Sequence, residues 1–169
     1  MLQHSLLIVD DEKSFLNSIA RALRKERYCL ELANSGTSAL QILKEKNISI
    51  IVTDLKMPGM DGLELLHQVR TQYPNVLTIM LTAIQDLGAT MHAINDIGVY
   101  KFFLKPLELN LFKVSIQRAM ETLDLRNDNH HLLKQVKTRD FIIGNFERQF
   151  PGILTVQRDS EGYYIPEED

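Results

Sequence analysis

Leu6-Leu7-Ile8-Val9-Asp10-Asp11 is a short apolar run closed by two carboxylates, and its reading decides the fold. Four consecutive apolar residues bounded by charge suit a strand buried on both faces, as in a parallel sheet. Three more runs end in the same way. Ile50-Ile51-Val52-Thr53 leads to Asp54, Thr78-Ile79-Met80-Leu81 to Thr82, and Phe102-Phe103-Leu104 to Lys105. In an open parallel sheet ligands bind at the carboxyl ends of the strands, so these groups would meet at one spot. Three carboxylates, a hydroxyl and an ammonium together suit Mg²⁺ and a phosphoryl group.

Working outward, five strand candidates over 6–10, 28–33, 48–54, 76–82 and 99–104 alternate with helical patterns over 13–26, 36–46, 61–72 and 86–97. Phe15, Ile19, Ala22 and Leu23 form the apolar stripe of the first helix. Leu63, Leu65, Leu66 and Val69 form that of the third, with Asp61 placed to cap its start. Regular alternation predicts an α/β fold, a doubly wound parallel sheet with helices on both faces and right-handed crossovers. Strands 1 and 3 are apolar enough to be central.

Lys105-Pro106 ends this unit, and the next helix should begin at or after the proline. Leu109, Phe112, Ile116, Ala119 and Leu123 then follow a 3-4 spacing consistent with heptads, which allows a homodimer through this long fifth helix. A helix continuous over 107–139 would be about 50 Å long, more than the sheet needs. The expected division is 1–122 for the α/β domain, 123–140 for the extended helix or linker, and 141–169 for a short tail. In the tail Phe141, Ile142, Phe146 and Phe150 suggest a short helix, and 153–157 with 163–165 suggest a hairpin. A lone hairpin is marginal in water, so it should pack on its own helix, a second subunit or a partner.

Composition narrows the function classes. With 44% apolar and 24% charged residues the chain reads as an ordinary soluble protein. Its single cysteine, Cys29, excludes an internal disulfide and is expected to be a buried, inert thiol. No apolar run reaches the ~18 residues of a membrane span, and the amino terminus lacks a signal-peptide pattern, so a cytoplasmic protein is expected. Charge is balanced over 1–106, and the net −3 falls in 107–169. An acidic tail is poorly suited to nucleic acid, so no DNA binding is expected within this chain. His130-His131 lacks metal-type neighbours and reads as exposed helix.

Asp54 is the candidate nucleophile, since a carboxylate can hold a phosphoryl group as an acyl phosphate. Asp11 and Asp54 suit direct ligation of Mg²⁺, with Asp10 acting through a bound water. Lys105 can balance one phosphoryl oxygen and the Thr82 hydroxyl can donate to another. Any of these residues alone could be a cap, a turn residue or a surface lysine. Their joint occurrence, in this order at strand ends, makes that coincidence remote.

These segments resemble the receiver domains of two-component response regulators. The carrying pieces are Leu7-Ile8-Val9-Asp10-Asp11, Asp54-Leu55-Lys56-Met57-Pro58-Gly59-Met60-Asp61-Gly62, Leu81-Thr82-Ala83 and Phe103-Leu104-Lys105-Pro106. The resemblance covers about residues 5–122. It implies a flavodoxin-like five-stranded sheet in the order 2-1-3-4-5. It also implies phosphorylation of Asp54 by a phosphohistidine donor, a sensor histidine kinase or histidine phosphotransfer protein, with Mg²⁺ held by Asp10, Asp11, Asp54 and the backbone carbonyl of Lys56. The family's switch pair falls on Thr82 and Phe102, and its lifetime-tuning positions on Lys56 and Ile84. Neither of the latter two would orient an attacking water, so a long-lived acyl phosphate is expected. Such a chain is a bacterial phosphoacceptor switch rather than an enzyme with an external substrate. Its output should run through strand 5, helix 86–97, the helix after Pro106 and the carboxy-terminal extension to an unidentified downstream protein.

Two other readings follow from the same sequence. The chain could be the regulatory part of a longer regulator with an enzymatic output. A loose likeness around Ala93-Ile94-Asn95 and Phe102-Phe103-Leu104-Lys105-Pro106 points to cyclic-dinucleotide phosphodiesterase modules. Alternatively, it could be a phosphorylation-independent binding module, which the intact Asp54, Thr82 and Lys105 set argues against.

Overall fold

A computed structural model describes residues 4–83 and 96–149, without the side chains of 139, 140, 144, 146, 147 and 149. Strands β1 (Ser5–Val9), β2 (Cys29–Ala33), β3 (Ile50–Asp54), β4 (Leu77–Ala83) and β5 (Lys101–Lys105) form one sheet in the order β2-β1-β3-β4-β5. Every pairing is parallel. Helices α1 (Lys13–Leu23), α2 (Gly36–Glu45) and α3 (Gly62–Gln72) connect the first four strands, and α4 (Leu109–Gln149) follows β5. The expected doubly wound sheet is therefore present, in the order that the resemblance implied.

The alternation of side chains along each strand divides the core in two. Leu6, Ile8, Ile50, Val52, Ile79, Leu81 and Phe103 point to one face, where α1 and the start of α4 cover them. Leu7, Val9, Ile51 and Met80 point to the other, against α2 and α3. Because β1 and β3 are buried on both faces, their sequences are continuously apolar rather than alternating.

Helix starts are fixed by side chains that satisfy orphan backbone donors. Ser35 and Ser38 form a reciprocal capping box on α2, and the Asp61 carboxylate accepts from the Glu64 N–H at 2.8 Å on α3. Asp61→Ala should lower the stability by about 1 kcal/mol. Chemical denaturation should show this as a lower midpoint with an unchanged slope.

Three expectations need correction. Phe112, Ile116, Ala119 and Leu123 do not form a free seam. They are buried in the core, Phe112 edge-on to Phe103 with ring centroids 5.4 Å apart, so this part of the 3-4 pattern is the helix's sheet-covering face. Cys29 is exposed rather than buried, because it opens β2, the edge strand of the sheet. Phe141 and Ile142 lie within α4, which runs on to Gln149 where a separate short helix was expected. The proposed helix over 86–97 is described only at its end, and the hairpin over 153–165 lies outside the described residues.

The chain divides into compact units at 1–124 and 125–169. His4, at the foot of β1, approaches Ser49 Oγ at 3.3 Å and the Asp124 carboxylate at 3.1 Å, closing the first unit at the end opposite the carboxylates.

Candidate functional site

The parallel register carries Asp10, Asp54, Thr82 and Lys105 to one edge of the sheet. Val9 pairs with Thr53, Asp54 with Leu81, and Ala83 with Lys105. Asp10 is fully buried there, whereas Asp11 is exposed. The Asp10 carboxylate accepts from the Glu12 N–H at 2.9 Å, turning the chain into α1. Asp54 accepts from the Leu55 N–H at 2.9 Å, and that same N–H also reaches the Leu81 carbonyl at 2.9 Å. The Leu55 N–H thus ties the Asp54 carboxylate to the point where the chain leaves β3 against β4.

Lys105 answers two of these carboxylates. The Lys105 ammonium lies 2.8 Å from Asp10 Oδ2 and 3.1 Å from Asp54 Oδ2. It also stands 5.1 Å from the centroid of the Phe15 ring, an attractive placement for a cation. Burial pushes the Asp54 carboxyl up, and this outweighs the opposing pull of Lys105. Burial also acts to lower the Lys105 ammonium, but its hydrogen bonds and charge pairing with Asp10 and Asp54 outweigh it, so its pKa lies above the usual lysine value. The lysine therefore stays charged across the physiological range.

Asp10, Asp11 and Asp54 each present a carboxylate oxygen within 4.8 Å of the other two. Such an all-oxygen set suits a hard divalent cation. The residues present thus fit Mg²⁺. Among the described residues no other cluster of three or more such groups has this spacing.

The remaining expected residues vary in position. Thr82 is buried in β4, and its hydroxyl donates to the Ala83 carbonyl over a long 3.3 Å. Phe102 is 36% exposed on β5, beside exposed Tyr100 and Leu104. Lys56 is exposed two residues after Asp54, and Ile84 lies outside the described residues. His130 and His131 are exposed on α4, as expected.

Two residues escaped a functional reading of the sequence. Phe15 appeared only as part of the α1 stripe, since its contact with Lys105 joins residues remote in sequence. Gly62 appeared only inside a quoted motif. Its N–H donates to the Leu55 carbonyl at 2.8 Å, and a Cβ added there would lie 2.1 Å from the Asp54 carbonyl oxygen. The turn of sequence from Asp54 to Gly62 could have revealed it, since a loop returning onto its own strand end needs a residue without a side chain.

Comparison with known proteins agrees with this architecture. The response regulator receiver domain model matches residues 6–117. The chain belongs to that family, the receivers of two-component signalling. It is 31% identical to the nitrogen assimilation regulatory protein NtrX of Azorhizobium caulinodans, over 85% of this chain and 32% of that protein. It is 29% identical to the hydrogenase transcriptional regulatory protein HoxA of Cupriavidus necator, over 80% of this chain and 28% of HoxA. The chain thus spans about a third of these curated relatives.

Among solved structures, an adenylate cyclase from Rhodopirellula baltica superposes with a TM-score of 0.73 at 35% identity, over 79% of this chain and 98% of that one. The signal receiver domain of an HD domain-containing protein from Pseudomonas fluorescens gives 0.69 at 28% identity, over 73% and 98%. Among the described residues no helix is long and apolar enough to cross a membrane.

Proposed function

We propose that this receiver accepts a phosphoryl group on Asp54 from a phosphohistidine of a sensor histidine kinase or phosphotransfer protein, in the cytoplasm. The observation that carries this reading is the pairing of Lys105 with both Asp10 and Asp54 at the strand ends, 2.8 and 3.1 Å away. A carboxylate oxygen of Asp54 attacks phosphorus. The P–N bond of the donor breaks, and its electron pair leaves with the imidazole nitrogen. Asp10, Asp11, Asp54 and the Lys56 carbonyl would hold Mg²⁺, which when bound neutralises charge on the transferring group.

Lys105 then has a second task. Once Asp54 carries the phosphoryl group as an acyl phosphate, the Lys105 ammonium can follow the negative charge onto a phosphoryl oxygen while keeping its bond to Asp10. Thr82 exchanges its long bond to Ala83 for one to the phosphoryl group. The added charge of about −1.5 to −2 shifts the equilibrium only through such contacts, which are stronger in the modified state. Phe102, half-exposed on the strand between Thr82 and α4, is the aromatic that would turn inward. Lys56 and Ile84 flank the acyl phosphate and lack groups that orient water, which favours a slow hydrolysis.

Intact mass after incubation with Mg²⁺ and a small acyl-phosphate donor tests this reading. One phosphoryl group should be added to the wild type. No addition, under conditions that modify another receiver, would instead support a phosphorylation-independent binding module. Mg²⁺ alone should raise the thermal midpoint of the wild type, and Asp11→Ala should lose most of that rise because it removes an exposed ligand without disturbing the core. An equal rise in both proteins would remove Asp11 from the metal site.

The receiver switches itself and has no other substrate in this reading; the output belongs to a partner or a further module. The likeness to the receiver of an HD domain-containing protein favours, as a second reading, a regulatory role in a longer regulator; an enzymatic output such as cyclic-dinucleotide phosphodiesterase rests on the loose likeness around Ala93-Ile94-Asn95 and Phe102-Phe103-Leu104-Lys105-Pro106 alone.

A further inference from the structure

The Lys105 ammonium carries three N–H bonds and has two carboxylate partners, Asp10 Oδ2 at 2.8 Å and Asp54 Oδ2 at 3.1 Å. Its third neighbour is the Phe15 ring, which it overlies at 5.1 Å from the centroid. Phe15 sits in the first turn of α1, half-buried against the core on that side of the sheet. The Asp10 carboxylate that pairs with Lys105 also accepts from the Glu12 N–H where α1 begins. One residue thus places both the cation and the helix that presents the ring. Beside them lies a groove of about 350 Å³, lined in part by Glu12, Phe15, Lys105, Leu107 and Leu109. Glu12 is the carboxylate of this lining that could draw the ammonium out of the site, and the Ser14 hydroxyl donates to it.

We propose that Phe15 is a positioning residue for phosphoryl transfer: its ring face holds the Lys105 ammonium in the site while negative charge passes from Asp54 to the phosphoryl group. This rests on the reading of Asp54 as the phosphoacceptor. In the unmodified site two carboxylates hold the cation, and the ring adds little to them. Attack by Asp54 commits one of its oxygens to the new O–P bond, so Lys105 loses one of its two anionic anchors and shifts toward a phosphoryl oxygen. A hydrogen bond is directional, whereas the negative potential over a ring face is broad and tolerates such a shift. The ring's attraction therefore counts for more in the transition state than before it, which is the condition for raising a rate. Packing alone makes a different prediction. Any side chain of the same shape would then serve, whatever its charge distribution.

The test varies that distribution at nearly constant shape. Monofluoro-, trifluoro- and pentafluorophenylalanine are placed at position 15 of the full-length chain, which progressively removes the negative potential of the ring face. With Mg²⁺ and a small acyl-phosphate donor, the donor's P–O bond breaks and its electron pair leaves on the carboxylate. The rate of addition, read by intact mass, should fall stepwise along the series, by roughly threefold at the pentafluoro ring and by up to about tenfold in Phe15→Leu. Phe15→Tyr keeps the ring face and should lose less than Phe15→Leu. Without Mg²⁺ or donor, the ε-methylene protons of Lys105, assigned by their loss in Lys105→Arg, should resonate upfield through the ring current. Phe15→Leu should return them to the position of the other lysines.

A rate indifferent to fluorination, or ε-methylene protons unmoved by Phe15→Leu, would overturn the proposal while leaving Asp54 as the phosphoacceptor. No addition to the wild type, under conditions that modify another receiver, would remove the phosphoacceptor reading itself and this role for Phe15 with it.

Discussion

Asp54→Asn is expected to abolish phosphoryl addition and, in the same protein, to raise the thermal midpoint at neutral pH without Mg²⁺. The first effect is loss of the nucleophile, since an amide offers no anionic oxygen and the remaining carboxylates sit on other strand ends. The second follows from the pKa of Asp54, raised chiefly by burial. A carboxyl whose pKa is higher in the folded than in the unfolded state binds its proton more tightly when folded. Its contribution to stability therefore falls as pH rises from the unfolded value of about 3.9 through the folded one. Above that window the folded protein carries the whole cost of ionised, desolvated Asp54.

Asparagine removes that cost while keeping an acceptor for the Leu55 N–H. The gain in midpoint should be a few degrees at pH 7 and should shrink toward zero below pH ~4, where the unfolded carboxylate is itself protonated. Saturating Mg²⁺ should reverse the ranking, because the wild type offers three carboxylates and the variant two. A midpoint at pH 7 equal to or below that of the wild type would show that the Lys105 pairing, not burial, dominates the energetics of Asp54.

The legibility of this molecule follows the range of the forces involved. Buried parallel strands announce themselves as unbroken apolar runs, so β1, β3 and β4 were readable from their own residues. Asp10, Asp54 and Lys105 were readable because strand ends in such a sheet must converge. The role of the stripe from Phe112 to Leu123 was not. The same 3-4 spacing serves helix on sheet and helix on helix, and only tertiary contact separates them. Cys29 misled for a similar reason, since edge and central strands share a composition while their ends differ in cover. The contact of Phe15 with Lys105 spans most of the domain and leaves no local trace.

Gly62→Ala should be the most damaging small substitution near the site. A Cβ at position 62 would stand 2.1 Å from the Asp54 carbonyl oxygen and 3.0 Å from the Asp54 carbonyl carbon and Leu55 Cα. None of these atoms is the free end of a side chain. Leu55 is bound to Leu81 through its N–H and to Gly62 through its carbonyl, so the obstruction cannot move without opening β3 from β4 or α3 from the β3 end. The cost should reach about 3 kcal/mol, the upper part of the range for overpacking. For a protein of this size that lowers the midpoint by roughly 6–12 °C. Displacing the Asp54 backbone also moves its carboxylate away from Lys105, so the rate of phosphoryl addition should fall with stability.

Two other glycines separate sterics from backbone conformation. Gly36→Ala meets the Met60 side chain along its length, at 2.8 Å from the sulfur, 2.9 Å from Cγ and 3.0 Å from Cβ, so Met60 must shift from its root and the cost should be about 1–2 kcal/mol. At Gly59 a Cβ meets open space but φ is +80°, so Gly59→Ala should cost only about 1 kcal/mol, from the left-handed backbone alone. Denaturation midpoints of all three, with intact-mass phosphorylation rates, should place the Gly62 variant far below those at Gly59 and Gly36. If Gly62→Ala proved no worse than Gly59→Ala, the loop from Asp54 to Gly62 would have to yield easily. Tight backbone closure could not then be what positions Asp54.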